Sequence, residues 1–174
     1  MTQDILNLFK MGYFLLYRSE GGLFDKAIVA RQLAAGFSLV DAQFTHVEVS
    51  GGEVSAIDIS PPISKLVDIT QDHNGRTVRI VRFKNADYEA GKRYKVAYFS
   101  ASLCNKGYDI PGILAFLFKW IHSDNRLVFC SEGCAWALTM VFPGLFGDLT
   151  NDKIMPAHFA DTSKFEVVWE GVIG

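Results

Sequence analysis

An α+β domain is predicted by three observations. Short strand-like runs with alternating or continuous apolar character recur along the chain, one pair of them joined at Gly51-Gly52 as a hairpin. Runs with helical spacing lie between and after them in segregated blocks, which is the α+β arrangement. A length of 174 residues, with 49% hydrophobic and 21% charged residues, fits one domain with a substantial core.

The elements follow in order. GYFLLYRS, 12–19, is a nearly continuous apolar run and reads as a buried strand. GGLFDKAIVARQLAAG, 21–36, has apolar residues at helical spacing and stops at Gly36. FTHVEVS, 44–50, alternates as a strand, and EVSAIDIS returns as its partner until Pro61-Pro62 ends it. RTVRIVRF, 76–83, is another strand. Helices are expected from about Asp87 to Leu103, from about Ile110 to His122, and from Cys130 to about Phe142. FEVVWEGV, 165–172, closes the domain as a strand.

Composition removes several function classes. The net charge is −2 and no Lys/Arg run is present, so no nucleic-acid footprint is expected. Three cysteines are too few and too odd a number for a disulfide framework. The apolar N-terminal segments are divided by Lys10 and lack a basic start and a small-residue cleavage site, so no signal peptide is expected. The run 110–120 is too short to span a bilayer. A reducing, cytoplasmic setting is the simplest expectation.

The chemistry concentrates in RLVFCSEGCAWAL, 126–138. Cys130 stands where a strand-like run gives way to a helix. Free N–H groups and the dipole at a helix start stabilise negative charge, which a thiolate nucleophile requires. Glu132 in the first turn also suits a helix start on its own account. Cys130 and Cys134 share one helix face, but no second pair completes a zinc site, and the four histidines have no paired spacing. No metal and no cofactor are expected, and Cys134 reads as packing.

A thiol nucleophile needs a base, and the base needs an orienting group. His46 shares a strand face with Phe44, Glu48 and Ser50. Glu48, Asp58 and Glu132 are the acids that could orient it. A two-residue Gly51-Gly52 turn sets His46 opposite Ile57 and points Asp58 away. A three-residue loop, Gly51-Gly52-Glu53, pairs Ser50 with Val54 and sets His46 across from Asp58 on one face. The second register also leaves Val47, Val49, Ser55 and Ile57 on the opposite face, a mostly apolar set. Asp58 is therefore favoured, with Glu48 and Glu132 as alternatives.

GYFLLYRSEGGLFDKAI, FTHVEVSGG, AIDISPP, YDIPG and FCSEGCAWAL together resemble the circularly permuted NlpC-type papain-like cysteine hydrolases, the YiiX/YaeF-like proteins related to the lecithin-retinol acyltransferase group. The likeness runs from Gly12 to about Phe142, with histidine before cysteine as in the permuted order. It departs at Tyr13, where an Asp is frequent, at Glu48, where a glycine is frequent, and at Asp58, where Glu or His is frequent. The resemblance implies a papain-like fold with a central antiparallel sheet and a helix carrying the nucleophile Cys130, with His46 as the base and Asp58 as the orienting residue. It also implies an acyl-enzyme mechanism on a cell-wall peptide, another amide or a lipid ester. Tyr108 and Asp109 match a family segment read as scaffold around the cleft. MPAHFA, 155–160, matches a late segment, with His158 expected at the surface. The alternatives are an inactive ligand-binding module of the same fold and a structural or assembly protein.

Overall fold

FLLYR becomes the most enclosed strand because it has no polar face to present to water. β1, Phe14–Arg18, has its first four residues buried and pairs on both sides. The computed structural model describes residues 3–109 and 128–174. The expected helix at 110–122 falls outside them.

The remaining strands are β2 (Phe44–Gly52), β3 (Ser55–Asp58), β4 (Lys65–Asp68), β5 (Thr77–Phe83) and β6 (Phe165–Val172). They form one six-stranded sheet in the order β4-β3-β2-β1-β5-β6, and every neighbouring pair is antiparallel. The helices are α1 (Gln3–Leu6), α2 (Leu23–Ala34), α3 (Leu39–Ala42), α4 (Ile69–Asp72), α5 (Arg93–Ala101) and α6 (Cys130–Thr139). The architecture is α+β, as the sequence predicts. No helix among the described residues is long and apolar enough to cross a membrane.

Two sequence expectations need correction. The hairpin takes neither anticipated register: Val49 pairs with Ile57, Ser50 with Ala56 and Gly52 with Ser55, with an irregularity at Gly51. A β-bulge absorbs an extra residue there and shifts the return strand. Continued one step, that ladder sets Asp58 level with Glu48 and diagonal to His46. The parity is still even, so His46, Glu48 and Asp58 keep the same face. The helix expected from Asp87 to Leu103 is broken: a π-helical turn, Tyr88–Lys92, precedes α5 because Gly91 adopts φ 124°, a value hostile to other residues.

β4 escaped the sequence reading because KLVD offers one buried residue, Val67, and little alternation. Its last residue caps α4: the Asp68 carboxylate accepts the Thr70 N–H at 2.9 Å. Phenylalanines supply much of the core. Phe14 packs on Phe159 at 4.9 Å between ring centroids, and Phe159 on Phe165 at 5.4 Å. Gln32 ties the layers together without being exposed. Its amide N–H groups donate to the carbonyls of Ala42 and Phe44, both at 2.9 Å, and its carbonyl accepts the Ala157 N–H at 2.8 Å. The entry to β2, two residues before His46, is thereby fixed to α2 and to the 3₁₀ helix Pro156–Ala160.

Candidate functional site

CSEG sends each residue to a different task. Cys130 is the first residue of α6 and is buried but reaches the cavity wall. Ser131 donates its hydroxyl to the Ile154 carbonyl at 2.7 Å, anchoring the helix start to the loop behind it. Glu132 turns back and accepts the Phe129 N–H at 3.3 Å, capping the helix. Gly133 lets α6 approach Ile59, the residue that follows β3: a Cβ there would lie 2.4 Å from Ile59 Cδ1. One turn on, the Cys134 thiol donates to the Val47 carbonyl at 3.5 Å, beside His46. The second cysteine of the pair thus packs the helix onto β2.

β2 brings His46 to the same place. Cys130 lines the same cavity as the ring and acts on it electrostatically. The ring Nε2 lies 3.0 Å from Asp58 Oδ1 and 3.1 Å from Glu48 Oε1. An ionised carboxylate only accepts, so Nε2 carries the proton and shares it between the two acids. Nδ1 is then the nitrogen able to take a proton from Cys130. Burial opposes a charge on His46. The Coulombic attraction of a Cys130 thiolate and hydrogen bonds to Asp58, Cys130 and Glu48 outweigh it, holding the group well above the ordinary histidine range.

Both acids are settled by their donors. Burial would raise the Asp58 carboxyl, but His46 and the Ser60 hydroxyl, 2.5 Å from Oδ2, bring it below its ordinary value. Burial would likewise raise Glu48, and hydrogen bonds from His46 and His73 bring it down. His73 Nε2 lies 2.7 Å from Glu48 Oε1, and the Tyr17 hydroxyl donates to Oε2 at 3.0 Å. The favoured orienting residue, Asp58, and the alternative, Glu48, therefore both reach His46 Nε2.

Glu132 does not orient His46. Its carboxylate serves the helix cap, and burial, with help from Asp109 and Asp152, pushes it up to about 7. Tyr108 lies beside α6 through a parallel bridge to Val128, and it lines the cavity with Cys130. Burial, then Cys130 and Asp58, raise its hydroxyl well above the ordinary tyrosine value. His158 is not at the surface as expected. It is half-buried, its Nδ1 accepts the Met155 N–H at 2.9 Å, and its ring meets Phe37 edge-on at 4.8 Å.

The cavity holds about 550 Å³, within the range of small-ligand sites. Cys130, His46 and Asp58 form one wall, and Phe24, Ile28 and Pro61 supply apolar surface. At the rim Arg76 Nε stands 3.5 Å from the Glu20 carboxylate. One donor atom each from His46, Glu48 and Asp58 lies within 4.8 Å of the others, a set that could hold a divalent cation. Proton sharing accounts for these contacts, because each carboxylate already receives its donors.

Sequence reasoning passed over His73, Tyr17 and Ser60. Ser60 follows Asp58 by two residues and shares its strand parity, a signal that was available. Tyr17 pairs with His46 across β1 and β2, which only the sheet order reveals. His73 arrives through β4 and α4, with no local pattern to announce it. The chain matches no family model and no curated protein.

Proposed function

We propose that the protein is a cysteine-dependent hydrolase or acyltransferase of papain-like design, cleaving an amide or ester through an acyl-enzyme on Cys130. One observation carries the reading. A cysteine at a helix start lines the same cavity as a histidine whose far nitrogen is held by two carboxylates. Nucleophile, base and orienting groups are then within reach of one another.

His46 Nδ1 takes the proton of Cys130, and Asp58 and Glu48 stabilise the imidazolium through Nε2–H. The thiolate sulfur attacks the substrate carbonyl carbon, and the C=O electron pair moves onto oxygen. N–H groups in the first turn of α6, which have no acceptor within the helix, are placed to receive that oxyanion. The intermediate collapses, the imidazolium gives its proton to the leaving amine or alcohol, and an S-acyl enzyme remains. Water or another acceptor, deprotonated by His46, releases the acyl group and restores the thiol. The apolar surface of Phe24, Ile28 and Pro61 supports a substrate with an apolar portion beside its carbonyl. A peptide, a peptidoglycan fragment and a lipid-like acyl donor all satisfy that description.

The test is the pH dependence of Cys130 alkylation by iodoacetamide, read on the Cys130 peptide by mass spectrometry. The half-buried Cys104 serves as an internal reference. Cys130 should react at pH 6 at a substantial fraction of its rate at pH 9.5, and His46→Ala should remove the pH 6 reactivity. A Cys130 that is inert throughout, or indifferent to His46→Ala, contradicts the proposal.

A further inference from the structure

Glu48 has no exposed surface, yet it is ionised among three donors. Two of them, His46 Nε2 at 3.1 Å and His73 Nε2 at 2.7 Å, address the same oxygen, Oε1. His73 makes the shorter contact. It is the residue that ends α4, its N–H donates to the Ile69 carbonyl at 3.1 Å, and its ring lies on Tyr17 at 4.6 Å between centroids. Tyr17 in turn gives its hydroxyl to the other Glu48 oxygen at 3.0 Å. The carboxylate is therefore gripped from two sides by groups that never touch Cys130.

The structure assigns His73 as a positioning residue for His46, acting through Glu48; the assignment rests on the reading of His46 as the base for Cys130. A buried carboxylate keeps its charge and its aim only while its hydrogen bonds are made. Without the His73 N–H, Glu48 takes up a proton or turns toward Tyr17. Either change removes one of the two acceptors on His46 Nε2–H and leaves Asp58 alone. Asp58 Oδ2 is already held by Ser60, so Oδ1 is its remaining contact with His46.

The surroundings contain other charged or titratable groups. Tyr17 approaches from β1 and Asp58 from β3, while Cys130 and Cys134 approach from α6. The Arg76 guanidinium stands over the Tyr17 ring, 4.8 Å from its centroid. None of these donates to Glu48 Oε1 in place of His73. A purely structural His73 would fill space beside Tyr17, and its replacement would lower stability without touching the pH profile of Cys130.

The experiment compares Cys130 alkylation profiles from pH 5 to 9.5 in the full chain, in His73→Phe, in His73→Gln and in His46→Ala. Phenylalanine keeps the stack on Tyr17 but has no donor. Glutamine places an N–H near the former Nε2. His73→Phe should slow the pH 6 reaction about fivefold or more, the effect of one charge-assisted hydrogen bond, and leave the pH 9.5 rate within about twofold. His73→Gln should restore the pH 6 rate. Superposed profiles for His73→Phe and the parent chain overturn the assignment, as does equal slowing by both substitutions at every pH. If His46→Ala itself leaves the profile unchanged, the base reading has failed first, and the assignment falls with it.

Discussion

His46 Nε2 carries one proton and faces two acceptors, Asp58 Oδ1 at 3.0 Å and Glu48 Oε1 at 3.1 Å. The nearly equal distances imply that neither acid alone holds the ring. A hydrogen bond to a charged group contributes about 1.5–3 kcal/mol. Shared between two acceptors, each is worth about 1 kcal/mol to the imidazolium, or about fivefold in a rate that depends on it. Asp58→Asn and Glu48→Gln keep shape and remove charge, so each alone should slow Cys130 alkylation at pH 6 about fivefold. The double variant loses the whole interaction, about 3 kcal/mol, and should be slower by more than a hundredfold. The excess of the double variant over the sum of the singles, about 1 kcal/mol, is the signature of two groups serving one proton. The assay is the second-order rate constant with iodoacetamide at pH 6, resolved to the Cys130 peptide. If Asp58→Asn alone matches His46→Ala while Glu48→Gln has no effect, the shared-acceptor argument is refuted.

Other perturbations probe the frame that holds the site. Gln32→Leu strands up to three buried backbone partners, at Ala42, Phe44 and Ala157. It should cost about 3 kcal/mol, lowering the urea midpoint by about 1.5 M for a slope near 2 kcal/mol/M; a loss under about 0.5 kcal/mol contradicts the bonding described. Glu132 is raised from an ordinary 4.5 to about 7, so its ionised form costs stability that is absent below 4.5, grows with pH and is complete above 7. Glu132→Gln keeps an acceptor for Phe129 and removes that cost. Discounted for partial exposure, the gain is about 1.5 kcal/mol, or about 4 °C in Tm at pH 8.5, with little change at pH 4. An equal gain at both pH values, measured by thermal unfolding, points to helix propensity instead. Gly133→Ala forces Ile59 aside, and the contact outweighs the helix preference of alanine, so a small destabilisation in urea and slower Cys130 alkylation are expected together.

Alternation carried most of what the sequence disclosed. FEVVWEGV reads as the whole of β6, and FTHVEVS as most of β2. Strand parity placed His46, Glu48 and Asp58 on one face even though the register was displaced, because the bulge at Gly51 shifted the return strand by an even number of residues. The glutamate at 132 was legible as a helix-start residue, and the structure gives it that task alone. Sheet order was not legible. Tyr17 meets His46 only because β1 inserts between β2 and β5. His73 depends on a further strand, β4, too short to show its period. These contacts join segments far apart in the chain, and local propensity holds no record of them.

An acyl group on Cys130 is the central claim, and intact-protein mass spectrometry reads it directly. The chain is mixed at pH 6.5 with p-nitrophenyl esters from acetate to octanoate, and adducts are located by peptide mapping. The account predicts one acyl group on Cys130 that disappears by hydrolysis, forms far more slowly in His46→Ala, and is absent in Cys130→Ala. Acylation confined to lysines, or appearing on Cys130 at the same rate in His46→Ala, would contradict it.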